Sequence, residues 1–272
     1  MATTGYIHTF TDREQNRLID QAEFLARYHH VEIDLSACRR VIEVGCGVGA
    51  QMRILLRNWP AVTMTGIDNS RSQLDKATQN LRNEISEGRA ALLQGAGDSL
   101  PVPDNTFEGA VVFWVLEHVA QPIGILGELF RVMKPGARVF ITEVFDTAVY
   151  TYPHCTGIET YFQAFVALQR ELGGDPDAAM RVPGLAARVG FTDIEVRDVS
   201  PMLDARMTDA RERSQFLDYF QTLLLSGSDE LLARNKIEQS QVDAVRTDFV
   251  KLGTDPDAVF HYGAKLTRAR KP

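Results

Sequence analysis

The apolar positions change their period in a regular order along the chain. From Thr11 the pattern is helical: Thr11 and Glu14 have the spacing of a capping box, and Leu18, Ala22 and Leu25 recur on one face behind them. Arg40 to Gly45 is a short apolar run ending in glycine, which predicts a buried strand feeding a tight turn. Ala50 to Arg57 reads as helix, Val62 to Asp68 as strand. Ser70 and Gln73 form a second capping box opening a helix to about Ile85. Ala90 to Gln94 and Gly109 to Trp114 are further strands, the second almost wholly apolar and so central in its sheet. Pro122 to Met133 is helical, Pro135-Gly136 marks a turn, and Arg138 to Val144 is a strand. Strands alternating with helices predict an α/β fold with a parallel sheet.

The rhythm changes after Phe145. Tyr150 to Leu172 is rich in aromatics and reads as mostly helical. Ile194 to Val199 is a strand candidate, Thr208 to Leu252 a polar–apolar stretch, and Ala258 to Leu266 a last strand candidate. There is no internal repeat. The 272 residues suit one domain, residues 1–272, with a cofactor-binding core at about 38–145. Helical additions at about 146–192 and 204–256 are expected to cover the ligand-binding edge of the sheet.

Composition narrows the function. The formal net charge is −7 and the basic residues are scattered among acids, which argues against a nucleic-acid partner. Cys38, Cys46 and Cys155 are far apart and form no Cys-x-x-Cys pair, so reduced thiols are expected rather than a disulfide framework or a metal site. The first fifteen residues lack an apolar leader-like core and no apolar run approaches a membrane span, so the expected location is cytoplasmic. The oligomeric state is left open.

The chemistry concentrates at Val41 to Ala50. A strand ends there, and a glycine-rich turn opens a helix; Gly45 and Gly47 let a ligand approach the backbone closely. Asp68 follows about twenty residues on, at the end of the next strand, where a carboxylate accepts hydrogen bonds from ribose hydroxyls. These features call for a nucleoside-bearing cofactor without choosing it, because Gly45, Gly47 and Ala50 also satisfy the dinucleotide pattern G-x-G-x-x-G/A. Trp114, at the end of its strand, is placed to offer an aromatic face to a cation. His118, just past that strand, and His154, among Tyr150, Tyr152 and Tyr161, are candidate catalytic bases. Phe145, Phe162, Phe165, Phe216, Tyr219 and Phe220 add to an aromatic C-terminal half, which suits a small apolar or aromatic substrate.

The motif series as a set resembles class I S-adenosylmethionine-dependent methyltransferases, most closely their UbiE-like small-molecule branch, over roughly Arg40 to Val144. Glu43 to Gly49 resembles the first motif of that family and Gly66 to Ser70 the second. Leu100-Pro101, Phe107-Glu108 and Phe113 to Val119 resemble the third and fourth, and Leu129 to Gly136 with Val139 to Ile141 the segment that follows. The resemblance implies a Rossmann-like seven-stranded, mostly parallel sheet with helices on both faces, its last strand, near Phe260 to Leu266, antiparallel. It implies S-adenosylmethionine as cofactor and methyl transfer to an O, N or C nucleophile of a small molecule. Glu43 would orient the glycine turn or reach the methionine amino group. Gly45 and Gly47 would pack against the methionine and ribose, Asp68 would hold the ribose, and Asn69 would lie beside adenine. Many relatives carry Gly-Asp-Ala before the Leu-Pro. This chain has Gly95-Ala96-Gly97, so adenine falls either to Asp98 or to backbone groups of Ala96 and Gly97. N-terminal helices of the family often fold over the cofactor, which makes Tyr6, Arg13 and Gln21 candidates for its carboxylate. Three rivals stand beside this reading: an NAD(P)-dependent oxidoreductase, a non-catalytic S-adenosylmethionine-binding protein, and a nucleic-acid methyltransferase, which should show salt-sensitive RNA binding.

Overall fold

The computed structural model describes residues 12–272, with side chains from Glu14 onward. The core opens with α1 (Asp12–His29), β1 (Arg40–Val44), α2 (Ala50–Asn58) and β2 (Thr63–Asp68). It continues through α3 (Arg71–Asn80), α4 (Arg82–Ser86), β3 (Ala90–Gln94), β4 (Phe107–Phe113), α5 (Pro122–Val132) and β5 (Met133–Val144). The second half runs through β6 (Tyr150–Tyr152), α6 (Thr156–Glu171), α7 (Ala178–Val189), β7 (Thr192–Asp198), β8 (Met202–Leu203) and α8 (Ala210–Leu224). It ends with α9 (Ser228–Ala233), α10 (Gln239–Thr254), β9 (Val259–His261) and β10 (Ala264–Arg270).

Seven strands form one sheet in the order β3-β2-β1-β4-β5-β10-β7. Neighbours from β3 to β5 pair in parallel, while β10 runs antiparallel to both β5 and β7. This is the mostly parallel sheet that the sequence led us to expect. Alternation of side chains across the sheet sorts the core into two layers. Val41, Val111 and Phe140 pack with Met52, Leu55 and Leu74 from α2 and α3. Ile42, Val112, Val139 and Ile141 pack on the other face with Leu126 and Leu129 of α5 and Val182 and Leu185 of α7. A third apolar cluster binds α6, α8, α9 and α10 around Tyr161, Phe216, Phe220 and Phe260, all fully buried.

Four boundaries differ from the sequence reading. The helix expected to reach Ile85 breaks at Leu81, whose backbone N–H closes α3 on Ala77 before α4 begins. Tyr150 to Tyr152 is strand, not helix, because it pairs with β9 in a separate sheet of order β6-β9-β8. The last strand is split: Val259–His261 belongs to that small sheet, and the antiparallel strand of the main sheet starts only at Ala264. Between them Gly263 passes so close to the Phe145 carbonyl that a Cβ there would collide with it. Finally, α7, in a stretch read as part of the helical cover, packs mainly on α5, β5, β7 and β10. It belongs to the sheet's own helical layer.

β1 lies between β2 and β4, and the connections after β1 and β4 leave to opposite faces. A crevice therefore opens beyond the carboxyl ends of these strands. α1 crosses that opening, tied to α3 by Gln15, whose Nε2 donates to Ser72 and Gln73.

Candidate active site

A cavity of about 920 Å³ fills the crevice. One end is built by the glycine turn. Gly45 (φ +74°) rests against the Val115 side chain, leaving no room for a Cβ, and its N–H donates to the Ile67 carbonyl at 2.7 Å. Gly47 (φ +49°) faces open space: nothing lies within 4 Å of where a Cβ would stand. Asp68 fixes this turn. Its Oδ2 accepts from the Gly47 N–H at 2.9 Å and its Oδ1 from the Ser70 N–H at 2.8 Å. Burial pushes its pKa up despite those bonds. Glu43 is 1% exposed, and its Oε2 has no partner among the described residues. Burial, then the Asp68 charge, raises its pKa well above the ordinary value. A carboxyl left so is an acceptor waiting for a donor from a ligand.

The loop after β4 forms the middle of the wall. Glu143, fully buried at the end of β5, receives the N–H groups of Val115 and Leu116 on Oε1 and that of Glu117 on Oε2, at 3.0, 2.8 and 3.3 Å. One carboxyl thereby sets the course of the loop. Trp114 takes a left-handed backbone (φ +52°), rare for a bulky residue, and its ring meets His29 edge-on at 5.1 Å.

The far end is apolar with a few acids. Leu25, Val144, Phe162, Phe165 and Leu224 line it, together with Glu117, Asp146, Gln169 and Tyr262. Gln169 Nε2 donates to Glu117 Oε2 at 2.9 Å, and Tyr262 OH to Asp146 Oδ1 at 2.8 Å. Burial raises the pKa of Glu117, Glu143 and Asp146, and the Glu117 charge adds to the shift at the other two.

The cavity collects many of the residues singled out in the sequence: Gln21, Glu43, Gly45, Gly47, Asp68, Asn69, Gly97, Trp114 and His118. Tyr6 lies outside the described residues, as does the side chain of Arg13. Gln21 is on the wall, but its Oε1 is occupied by Arg17. Ala96 and Asp98 are not on the wall, because Ala96 is bridged to Ser99 in a tight turn that presents Gly95 and Gly97 instead. His154 stands apart from the cavity: its side chain is 67% exposed and pairs with Glu159 at 3.2 Å on the outer surface. His118 approaches Glu117 at 3.6 Å, and burial lowers its pKa to about 4. Of the expected aromatics, Phe162 and Phe165 reach the cavity, whereas Tyr150 and Tyr152 are exposed and Phe216 and Phe220 are core.

The sequence reading missed Arg17, His29, Glu143, Asp146, Gln169 and Tyr262. Arg17 had a signal, four residues before Gln21 on the helix face that carries Leu18, Ala22 and Leu25. His29 continues that face four residues after Leu25; Glu143 and Asp146 straddle the end of β5, and Gln169 and Tyr262 come from distant stretches with no spacing to mark them.

Comparison with known proteins completes the picture. Residues 42–141 match the family model described as "Methyltransferase domain". The chain carries a class I S-adenosylmethionine-dependent methyltransferase domain. Among curated relatives, this chain is 26% identical over 208 residues to sterol 24-C-methyltransferase erg-4 of Neurospora crassa, covering 72% of the chain and 53% of that protein. It is 26% identical over 210 residues to O-methyltransferase resE of Aspergillus sclerotiorum, covering 74% and 77%. The chain thus spans about half the length of the sterol enzyme. Among solved structures, the methyltransferase fold matches the [4+2]-cyclase SpnF with TM-score 0.55 at 23% identity, covering 93% of this chain and 81% of that one. It also matches phosphoethanolamine N-methyltransferase 2 of Haemonchus contortus in complex with S-adenosyl-L-methionine, with TM-score 0.58 at 19% identity, covering 97% and 57%.

The residues present fit that cofactor. Its ammonium and ribose hydroxyls are donors, and the glycine end offers the unpartnered Glu43 Oε2 and the Asp68 carboxylate. The space over Gly47 admits a ligand against the backbone. Among the described residues no group of His, Cys, Asp or Glu is arranged to hold a metal ion, and no helix is long and apolar enough to cross a membrane. Cys38, Cys46 and Cys155 are free and buried.

Proposed function

We propose that the chain transfers a methyl group from S-adenosylmethionine to an O, N or C nucleophile of a small, largely apolar or aromatic molecule. The observation that carries this is the continuity of the cavity: the cofactor end at Glu43, Gly47 and Asp68 opens directly onto the apolar end at Phe162 and Phe165. The relatives named as sterol and O-methyltransferases support the same class of substrate.

S-adenosylmethionine supplies, when bound, an electrophilic methyl group on a sulfonium. The chain's own residues bind and align. Glu43 receives the ammonium, Asp68 the ribose hydroxyls, and the backbone at Gly95 and Gly97, rather than Asp98, supports adenine. Trp114 gives the cation an aromatic face. Alignment of two reactants supplies roughly 7–11 kcal/mol in favourable cases, so much of the acceleration needs no base. His118 is neutral at pH 7 and weakly basic, which suits hydrogen bonding to the acceptor better than proton removal. In this reading residues 38–145 hold the cofactor, and α1, α6 and α8 close the acceptor end.

The test is calorimetric titration with S-adenosylhomocysteine, with NADH and NADPH in parallel, followed by a panel of small acceptors. Micromolar binding of S-adenosylhomocysteine alone, with methylated product from an apolar acceptor, is expected. Binding of a nicotinamide cofactor instead would overturn the reading. Homocysteine-nucleoside binding without product from any acceptor would leave only a binding protein.

A further inference from the structure

We propose that the acceptor end of the cavity is an ammonium site, in which Glu117, Asp146 and the Gln169 carbonyl receive the protonated amine of a ligand with an apolar or aromatic body. The inference rests on the methyltransferase reading for its placement beside the cofactor and narrows the acceptor to an amine-bearing molecule; the ammonium, which has no lone pair, anchors the ligand and does not itself take the methyl group.

The argument starts from Gln169. It is 3% exposed and lines the cavity. Its amide nitrogen donates to Glu117 Oε2 at 2.9 Å, the orientation that the ionised form of Glu117 requires. The carbonyl Oε1 is therefore turned away from Glu117, and it has no partner among the described residues. The neighbouring groups are acceptors too. Tyr262 spends its hydrogen on Asp146, so the phenol oxygen offers only lone pairs to anything else. Glu117 and Asp146 line the same wall, with Glu143 buried behind them.

Charge points the same way. Among the described residues no Lys or Arg forms an ion pair with Glu117, Glu143 or Asp146; the basic group near them is His118, neutral at pH 7. Among the described residues the acids on the cavity wall are Glu43, Asp68, Glu117, Asp146 and Glu230, of which Glu230 pairs with Arg234; the Arg on the wall, Arg17, pairs with Glu14. Buried carboxyls are ordinarily matched by a cation or by donors. A carboxylate or phosphate ligand would find no Lys or Arg beyond the paired Arg17 on this wall among the described residues. A hydroxyl would satisfy one acceptor without favouring the ionised form of the acids. An ammonium brings three donors and the missing charge. Trp114, Phe162 and Phe165 complete the surroundings with aromatic surface, which favours a cation and holds an apolar body. Burial keeps Glu117 partly protonated near neutral pH, so an arriving ammonium displaces that proton to solvent.

The test uses protein saturated with S-adenosylhomocysteine and three probes sharing one body: phenethylamine, phenethyl alcohol and phenylacetate. Calorimetry should show the amine binding at least about tenfold tighter than the alcohol, with phenylacetate not binding. Repeating the amine titration in buffers of different ionisation enthalpy should reveal proton release. Glu117→Gln, and Asp146→Asn as a second variant, should bring the amine down to the affinity of the alcohol while leaving S-adenosylhomocysteine within about twofold. Equal affinity for amine and alcohol, any preference for phenylacetate, no measurable amine binding, or an unchanged amine in both variants would each overturn the proposal. So would a loss in the variants confined to S-adenosylmethionine over S-adenosylhomocysteine, which would assign the acids to the sulfonium. Failure of S-adenosylhomocysteine to bind would remove the methyltransferase reading instead, and the same amine–alcohol comparison on the free protein would still decide the ammonium site.

Discussion

Gly45→Ala and Gly47→Ala differ by two positions and should fail in different ways. Both glycines have positive φ, so any L side chain there costs ~1–2 kcal/mol of backbone strain. At Gly45 the new methyl group also meets Val115, adding an overpacking cost of ~1–3 kcal/mol. The sum is ~2–5 kcal/mol, and at about 2–4 °C per kcal/mol the melting temperature should fall by about 4–20 °C. At Gly47 the methyl group enters empty space, so the fold loses only the strain, about 2–8 °C. That space is where we propose the cofactor lies, and the overpacking cost then moves from folding to binding. A loss of ~1–3 kcal/mol there is about 5- to 150-fold in affinity. Thermal melts and titration with S-adenosylhomocysteine separate the two effects. Gly88→Ala, at a similarly left-handed but exposed turn, controls for strain alone. A folded Gly47→Ala protein that binds S-adenosylhomocysteine within about twofold of wild type would refute the placement of the ligand over this turn.

Asp68→Ala removes both the turn's anchor and the proposed ribose acceptor, so S-adenosylhomocysteine binding should weaken by ~1.5–3 kcal/mol in calorimetry; unchanged affinity in a folded variant would rule out the assignment. His154→Ala should leave turnover within about twofold in an acceptor assay, because the side chain is on the outer surface, whereas His118→Ala should raise KM for the acceptor more than it lowers kcat. Ligand-free stability should depend on pH in a defined direction. Glu43, Glu117, Glu143 and Asp146 have folded-state pKa values raised above their unfolded ones, so the fold binds more protons than the unfolded chain. The stabilisation is full below the ordinary carboxylate range and is lost as pH climbs. Buried His29, His30 and His118, whose pKa values are lowered, oppose this below about pH 6.5, so melting temperature should fall between about pH 7 and about pH 8, less steeply in Glu43→Gln; a rise over that window would contradict the burial described here.

The parallel half of the sheet was legible because its signals are local. β1 and β4 are apolar runs, buried on both faces and bounded by glycine or polar residues, and Asp68 follows the glycine turn by a spacing that the fold dictates. What stayed hidden depended on tertiary partners. The Ala258 to Leu266 run looks continuous, yet close packing at Gly263 divides it between two sheets. α7 falls in the stretch expected to be helical cover, and nothing local in its sequence marks its packing on α5 and the sheet instead. In the site, the glycine end was readable from one segment. The acidic end was not, because Glu117, Asp146, Gln169 and Tyr262 come from four separate stretches and meet only after α6 and the small sheet have docked.

The place of β10 has a consequence for how the chain is made. It enters between β5 and β7 and satisfies the inner edges of both. During synthesis β5, with its run Val139-Phe140-Ile141, emerges long before Ala264 does. At ~5–20 residues per second, a nascent chain carries that bare apolar edge for several seconds on the ribosome. Unpaired edges of this kind recruit other strands. The sheet is therefore sealed late, and the interval before sealing is when the edge of β5 is open to wrong partners.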